Sequence, residues 1–263
     1  MHKLASAIFL LLLIATVELA SADESRYDFT TVCRQERPLV RELWQRGLYD
    51  TPDDVDAVMV AVIDGDVAKT RRALEKLPEA EVVRWRQVAM YTAAEQGQSE
   101  MVEALLDDGT PVDGIAQMPP PTYELYRKNI DALRRNPDFA GVTIDEAKGF
   151  VNDVVQQSSP ALFAAIGCND LATVLVLLRH HADPMLRPFS NGADPFITAV
   201  VSGEPEIVQA LLEHGADACG EDRYLHQNQK SHHFPLRTLA DIGGKAGLPA
   251  TLVKRLKCGA TRQ

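Results

Sequence analysis

Three histidines and four cysteines are the side chains of this chain best suited to hold a metal or to cycle electrons. His226, His232 and His233 fall within the stretch 226–233, and imidazoles so close in sequence could share a zinc or copper ion. A tetrahedral site also needs companion ligands at a short, regular spacing, and none accompanies them. Cys33, Cys168, Cys219 and Cys258 stand far apart with no CxxC pair, which suits thiols or bridges better than metal ligation. His180-His181 stands as an adjacent pair at the end of an apolar run. The chain holds no Gly-rich phosphate loop, no GxSxG and no HExxH, and no paired carboxylates at a telling spacing. The expectation is a non-enzymatic protein with no cofactor, no catalytic residue and no metal ligand set. Metal binding or redox work through the 226–233 histidines and the cysteines is the alternative.

The elements around these residues are short helices. In Asp194–Asp217 a first helical pattern runs from Pro195 to about Ser202 and a second from about Glu204 to Glu213, with Gly203 between them. Pro195 suits a first helical turn, where its missing N–H is not needed. Ile207, Val208, Leu211 and Leu212 form one stripe at helical spacing, which stops at His214-Gly215, where glycine can take the left-handed cap. Neither helix could bury its apolar face alone, so the unit implies neighbours.

Aligning the chain with itself finds them. Val60–Asp66 opens one unit, with Arg71–Leu77 as its second helix. Thr92–Gln98 opens another, followed by Met101–Gly109, and Ala164–Asn169 a third, followed by Val174–Asp183. A fifth runs from Leu236 to Ala260. Ala61, Ala93, Ala165, Ala199 and Ala240 mark the register, with gaps of 32, 72, 34 and 41 residues. Four residues later stand Gly65, Gly97, Asn169 and Gly203, so the turn between helices requires a positive φ, for which asparagine is the usual second choice. In the fifth unit Gly244 and Gly247 both compete for that position.

This pattern resembles the ankyrin-repeat family. The residues that carry the resemblance are Gly203–Val208 with Leu211–Asp217, the echo Leu177–Asp183, and the run Ala93–Gly97. The usual Thr-Pro-Leu-His is worn down to Asp194-Pro195-Phe196-Ile197 and Ser159-Pro160-Ala161-Leu162. The resemblance implies an all-α solenoid of stacked helix–turn–helix units that binds a protein partner through projecting loops and a concave face. The organisation expected is an arm with a capping helix over 23–54, repeats one and two over 55–112, a helical insertion or degenerate repeat over 113–159, and repeats three to five over 160–263. Within the arm a helix is expected around Arg37–Gly47, with Trp44 on its apolar side. Within 113–159 two helices are expected, at Tyr123–Arg135 and Thr143–Val155, and an insertion packed on the array is the favoured reading.

Aromatic residues and arginine dominate interfaces. The candidate partner-binding residues are therefore Arg187, Phe189 and Asn191 in the Met185–Gly192 loop, Tyr224 and His226 in the later connection, and Tyr123, Tyr126 and Arg127 in the 113–159 segment. The register also bears on the cysteines. Cys219 and Cys258 both follow second helices, so a bridge between them is expected. Cys168 falls at the opposite, turn end of its unit, and Cys33 meets another cysteine only if the arm folds along the array.

The first 22 residues read as an address. Met1-His2-Lys3 is basic, Ala7–Val17 is apolar and Ala20-Ser21-Ala22 offers small residues for cleavage after Ala22. An apolar run so short falls below the ~20 residues of a membrane span. A periplasmic or secreted monomer with no stable membrane insertion is expected. The net charge of −10 disfavours nucleic acid and anionic lipid as partners.

Overall fold

The computed structural model describes Trp44 and residues 51–116, 160–187, 194–219 and 238–257. Helices occur in pairs: α1 (Asp53–Ile63) with α2 (Val67–Leu74), α3 (Glu79–Glu95) with α4 (Ser99–Asp107), and α5 (Ala161–Gly167) with α6 (Leu171–Arg179). The fourth pair is α7 (Pro195–Ser202) and α8 (Pro205–Glu213), and the fifth α9 (Leu239–Lys245) and α10 (Ala250–Arg255). No strand occurs among the described residues.

The turn inside each pair has one chemistry. Gly65, Gly97, Asn169, Gly203 and Gly247 all take a positive φ, from 50° at Asn169 to 84° at Gly247. The left-handed residue lets the next N–H turn back onto the first helix: Asp66 onto the Ala61 carbonyl, Gln98 onto Ala93, Asp170 onto Ala165 and Leu248 onto Gly243. In the second helices the start is set by Asp66 and Asp170, whose carboxylates accept from the Lys69 and Thr173 N–H groups.

The equivalence settles the fifth unit. Gly247, not Gly244, is its turn residue, so the register position held by alanine elsewhere is held by Gly243 rather than Ala240. A Cβ on Gly243 would lie 2.9 Å from Leu248 and 3.0 Å from Leu256, so glycine admits α10 closely against α9. The first unit departs differently. Its second helix begins at Val67, earlier than the expected Arg71, and ends at Leu74, and Pro78 caps α3 at once. Without a glycine-led loop after α2, α3 extends to 17 residues, twice the length that the repeat pattern implies.

First helices pack in the order α1, α3, α5, α7, α9, and second helices α4, α6 and α8 stack beside them. Units two and three are direct neighbours, since α3 packs on α5 and α4 on α6 although residues 117–159 intervene in sequence. One apolar core runs through all five units, from Val58 and Met59 through Ala93, Ala165, Leu177 and Leu211 to Leu252 and Leu256. Trp44 is helical and 1% exposed, and joins this core ahead of the first unit. The other residues expected in the capping helix, and both helices expected in 113–159, lie outside the described residues.

Candidate functional site

The surface of such an array that can differ from unit to unit is the set of connections after the second helices. Those after α4, α6 and α8 are built as self-contained turns. Gly109, His181 and Gly215 take a positive φ, and the following N–H groups of Thr110, Ala182 and Ala216 bond back to the Leu105, Leu177 and Leu211 carbonyls. His180 is the C-cap of α6 and His181 occupies the position where the resemblance implies Gly or a polar residue, so the histidine pair caps the helix. Asp183 and Asp217 then accept from the N–H groups of Met185 and Cys219, each at 2.8 Å, tightening the chain further.

Side chains tie successive units across this end. Arg71 grips the Asp108 carboxylate with two N–H groups at 2.7 and 3.0 Å, and Arg86 donates to the Asp108 carbonyl. Gln87 donates to the Pro111 carbonyl, and Asp113 accepts the N–H of Asp183 from the next unit at 3.0 Å. Burial pushes the Asp113 carboxyl above the ordinary aspartate range. Between α4 and α6, Glu103 accepts from His180 at 3.0 Å and from Arg179 at 2.9 Å. These two neighbours, His180 foremost, hold the Glu103 carboxyl below the ordinary glutamate range. Asp107 completes a cluster in which ligand atoms of Glu103, Asp107 and His180 lie within 4.8 Å of one another. Arg179 already supplies a cation to Glu103, and the arrangement works as a clasp between units two and three.

Of the eight partner-binding residues expected from the sequence, the structure places Arg187. Its side chain is partly buried and turned to the next unit. Its Nε donates to the Asp194 carboxylate at 3.3 Å, and Asp194 is fully buried as the N-cap of α7, accepting the Ile197 N–H at 2.8 Å. Arg187 therefore fastens the third unit's loop to the start of the fourth. Burial raises the Asp194 carboxyl above the ordinary aspartate range, against the Ile197 N–H and Arg187, which favour its charged form. Phe189, Asn191, Tyr123, Tyr126, Arg127, Tyr224 and His226 lie outside the described residues, as do His232 and His233.

The sequence reading missed two surface residues. Val83 and Ile115 are large apolar side chains left 63% and 47% exposed. Val83 lies in the added N-terminal part of α3, and Ile115 follows Gly114, which sits directly against Gln87 one helical turn further on. The signal was the absence of a glycine-led turn after Leu74, which lets α3 begin at Pro78 and carry Val83 beyond the core.

The cysteine expectation is corrected. Cys219 holds a free, exposed thiol, so the Cys219–Cys258 bridge is not formed. The tight Asp217 turn ends on Cys219 and leaves its side chain in solvent. It is Cys168, at the C-cap of α5, that is disulfide-bonded. Cys33 and Cys258 lie outside the described residues.

Five stacked pairs with a left-handed turn inside each, and a capped loop after the second helix of units two to four, define a helical repeat array. Residues 132–222 match the family model described as ankyrin repeats in three copies, and the match begins within the 113–159 segment. The chain is also 26% identical over 235 residues to the B-cell lymphoma 3 protein homolog of Mus musculus, covering 84% of this chain and 51% of that protein. It thus spans about half the length of that relative. Residues 132–222 thus resemble ankyrin repeats, and the described residues stack as an all-α array of helix pairs. Among the described residues no helix is long and apolar enough to cross a membrane.

Proposed function

We propose that this chain is exported and works there as a non-enzymatic binder of one protein partner. The observation that carries the reading is the loop end of the array. Its turns are closed on themselves and tied to one another, which presents a rigid surface, and that surface leaves Val83 and Ile115 exposed in the second unit. A preorganised surface loses little entropy on binding, and exposed apolar side chains suit a protein contact. Export is supported by the basic, apolar and small-residue pattern of residues 1–22. The disulfide at Cys168 supports the same reading, because such bonds persist in oxidising compartments. In that setting the partner is a toxin or an envelope enzyme that the array inhibits or protects.

The test is capture from the native envelope with the mature chain, beside a Val83→Asp/Ile115→Asp variant and a cell-fractionation control. The expected result is an exported protein, shortened after Ala22, whose partner is recovered with the parent and lost with the variant. Retention of residues 1–22 in a cytoplasmic protein would overturn export. Capture insensitive to both substitutions would overturn the assigned surface, and turnover of a small substrate would overturn the non-enzymatic reading.

A further inference from the structure

We infer that the disulfide partner of Cys168 is Cys33, so that one covalent bond ties the segment ahead of the first unit to the turn of the third. The chain has four cysteines, and Cys219 is excluded by its free thiol, which leaves Cys33 and Cys258. The geometry of the array then decides between them. Cys168 stands immediately beyond the last residue of α5, at the turn end of its unit. Cys258 follows Leu256, the C-cap of α10, by two residues. Between α5 and α9 stands α7, which packs on both, so two helix spacings of about 8–10 Å each separate them. α10 is displaced further, because it packs on α9 as a second helix and runs back toward the loop end, away from the turn end where Cys168 lies. Two residues beyond Leu256 recover at most about 7 Å of that separation. A disulfide requires Cα atoms within about 7 Å, and Cys258 cannot meet this.

Cys33 can. It precedes Trp44 in sequence by 44 − 33 = 11 residues, and Trp44 is anchored in the same core as the first unit. A chain of that length spans up to about 36–40 Å. The third unit's first helix lies only two spacings from α1, with α3 between them, or about 16–20 Å. Formation is a thiol–disulfide exchange. With the export proposed above, the Cys33 and Cys168 thiols lose two protons and two electrons to a disulfide oxidant of an oxidising compartment, which leaves as two thiols. Cys219 and Cys258 remain reduced.

The bond has a mechanical consequence. It closes a loop holding units one and two together with the 117–159 segment, and so pins the edge of the array that terminal units otherwise leave open.

Peptide mapping of the purified mature chain, alkylated while denatured and without reductant, tests this, because trypsin puts the four cysteines on four different peptides. The expected finding is a Cys33 peptide joined to the Cys168 peptide, separated by reduction, with alkyl label on Cys219 and Cys258. A Cys168–Cys258 species, or label on Cys168 in the parent protein, overturns the inference. Two variants guard against scrambling during work-up. Cys33→Ser is expected to make Cys168 alkylatable, whereas Cys258→Ser leaves it protected, and the reverse pattern overturns the assignment. Neither outcome depends on whether a protein partner binds.

Discussion

Asp194 is the residue whose replacement reads most directly on how the array is held. Its carboxylate is 0% exposed and caps α7 through the Ile197 N–H at 2.8 Å, while Arg187 approaches it at 3.3 Å from the preceding loop. Losing an N-cap costs about 0.5–2 kcal/mol, and losing a hydrogen bond to a charged group costs about 1.5–3 kcal/mol, set against relief of a buried charge. Asp194→Ala is therefore expected to destabilise by about 1–3 kcal/mol, a fall of about 2–4 °C in Tm for each kcal/mol in a domain of this size. Asp194→Asn keeps the capping oxygen and discards the charge, and is expected to cost less than about 1 kcal/mol. The two variants also separate in pH dependence. The folded carboxyl has a pKa raised above its ordinary value of 3.8, so in that window the folded state binds more protons than the unfolded state. Its contribution to stability is then fully present below the unfolded pKa and is lost as pH rises through the folded one. Urea unfolding followed by circular dichroism, from about pH 4 to about pH 7, measures both effects. The Asn variant should lose this part of the pH slope. Equal damage from Asn and Ala would refute the capping argument, and an unchanged slope in Asn would refute the burial argument.

Gly203→Ala and Gly109→Ala both place a side chain at positive φ, at 72° and 84°, but only at Gly203 would the new Cβ meet a neighbour, the Ala246 carbonyl oxygen at 2.4 Å. The Gly109 variant should lose roughly 1–2 kcal/mol and the Gly203 variant clearly more, and equal losses in chemical denaturation would contradict the close approach of units four and five. Leu177, wholly buried where α6 enters the core, should cost about 2–5 kcal/mol on truncation to alanine; a loss under about 1 kcal/mol would contradict its packing. The Glu103 carboxyl should titrate below the ordinary glutamate range by NMR and move up in His180→Ala, since the His180 hydrogen bond is the largest cause of its shift. A carboxyl lowered in this way stabilises the fold above its unfolded pKa and ceases to do so as pH falls through the folded one. A midpoint unmoved in the variant would refute the clasp.

Much of the fold was legible because its determinants are local. The stripe from Ile207 to Leu212 and the stop at Gly215 specify α8 and its cap without reference to any other unit. Asn169 was legible for the same reason: a positive φ in the sequence of a repeat is a demand on one residue's backbone, and few side chains meet it. The fifth unit was not, because Gly244 and Gly247 satisfy that local demand equally, and only the approach of α10 to α9 over Gly243 distinguishes them. The length of α3 was missed because a helix continues wherever nothing stops it, and the deciding fact was a missing loop.

The candidate site followed the same division. Aromatic and arginine content drew attention to the loop holding Arg187, but composition does not say whether an arginine faces solvent or a buried carboxylate. The sequence by itself determined the helix pairs and their turn chemistry, since these are interactions between residues a few positions apart. Tertiary structure alone decided that Arg187 serves the fold, that Val83 and Ile115 are exposed, and that Cys168 rather than Cys219 is bonded. Those outcomes depend on distances between units, and such distances are fixed only when the units stack.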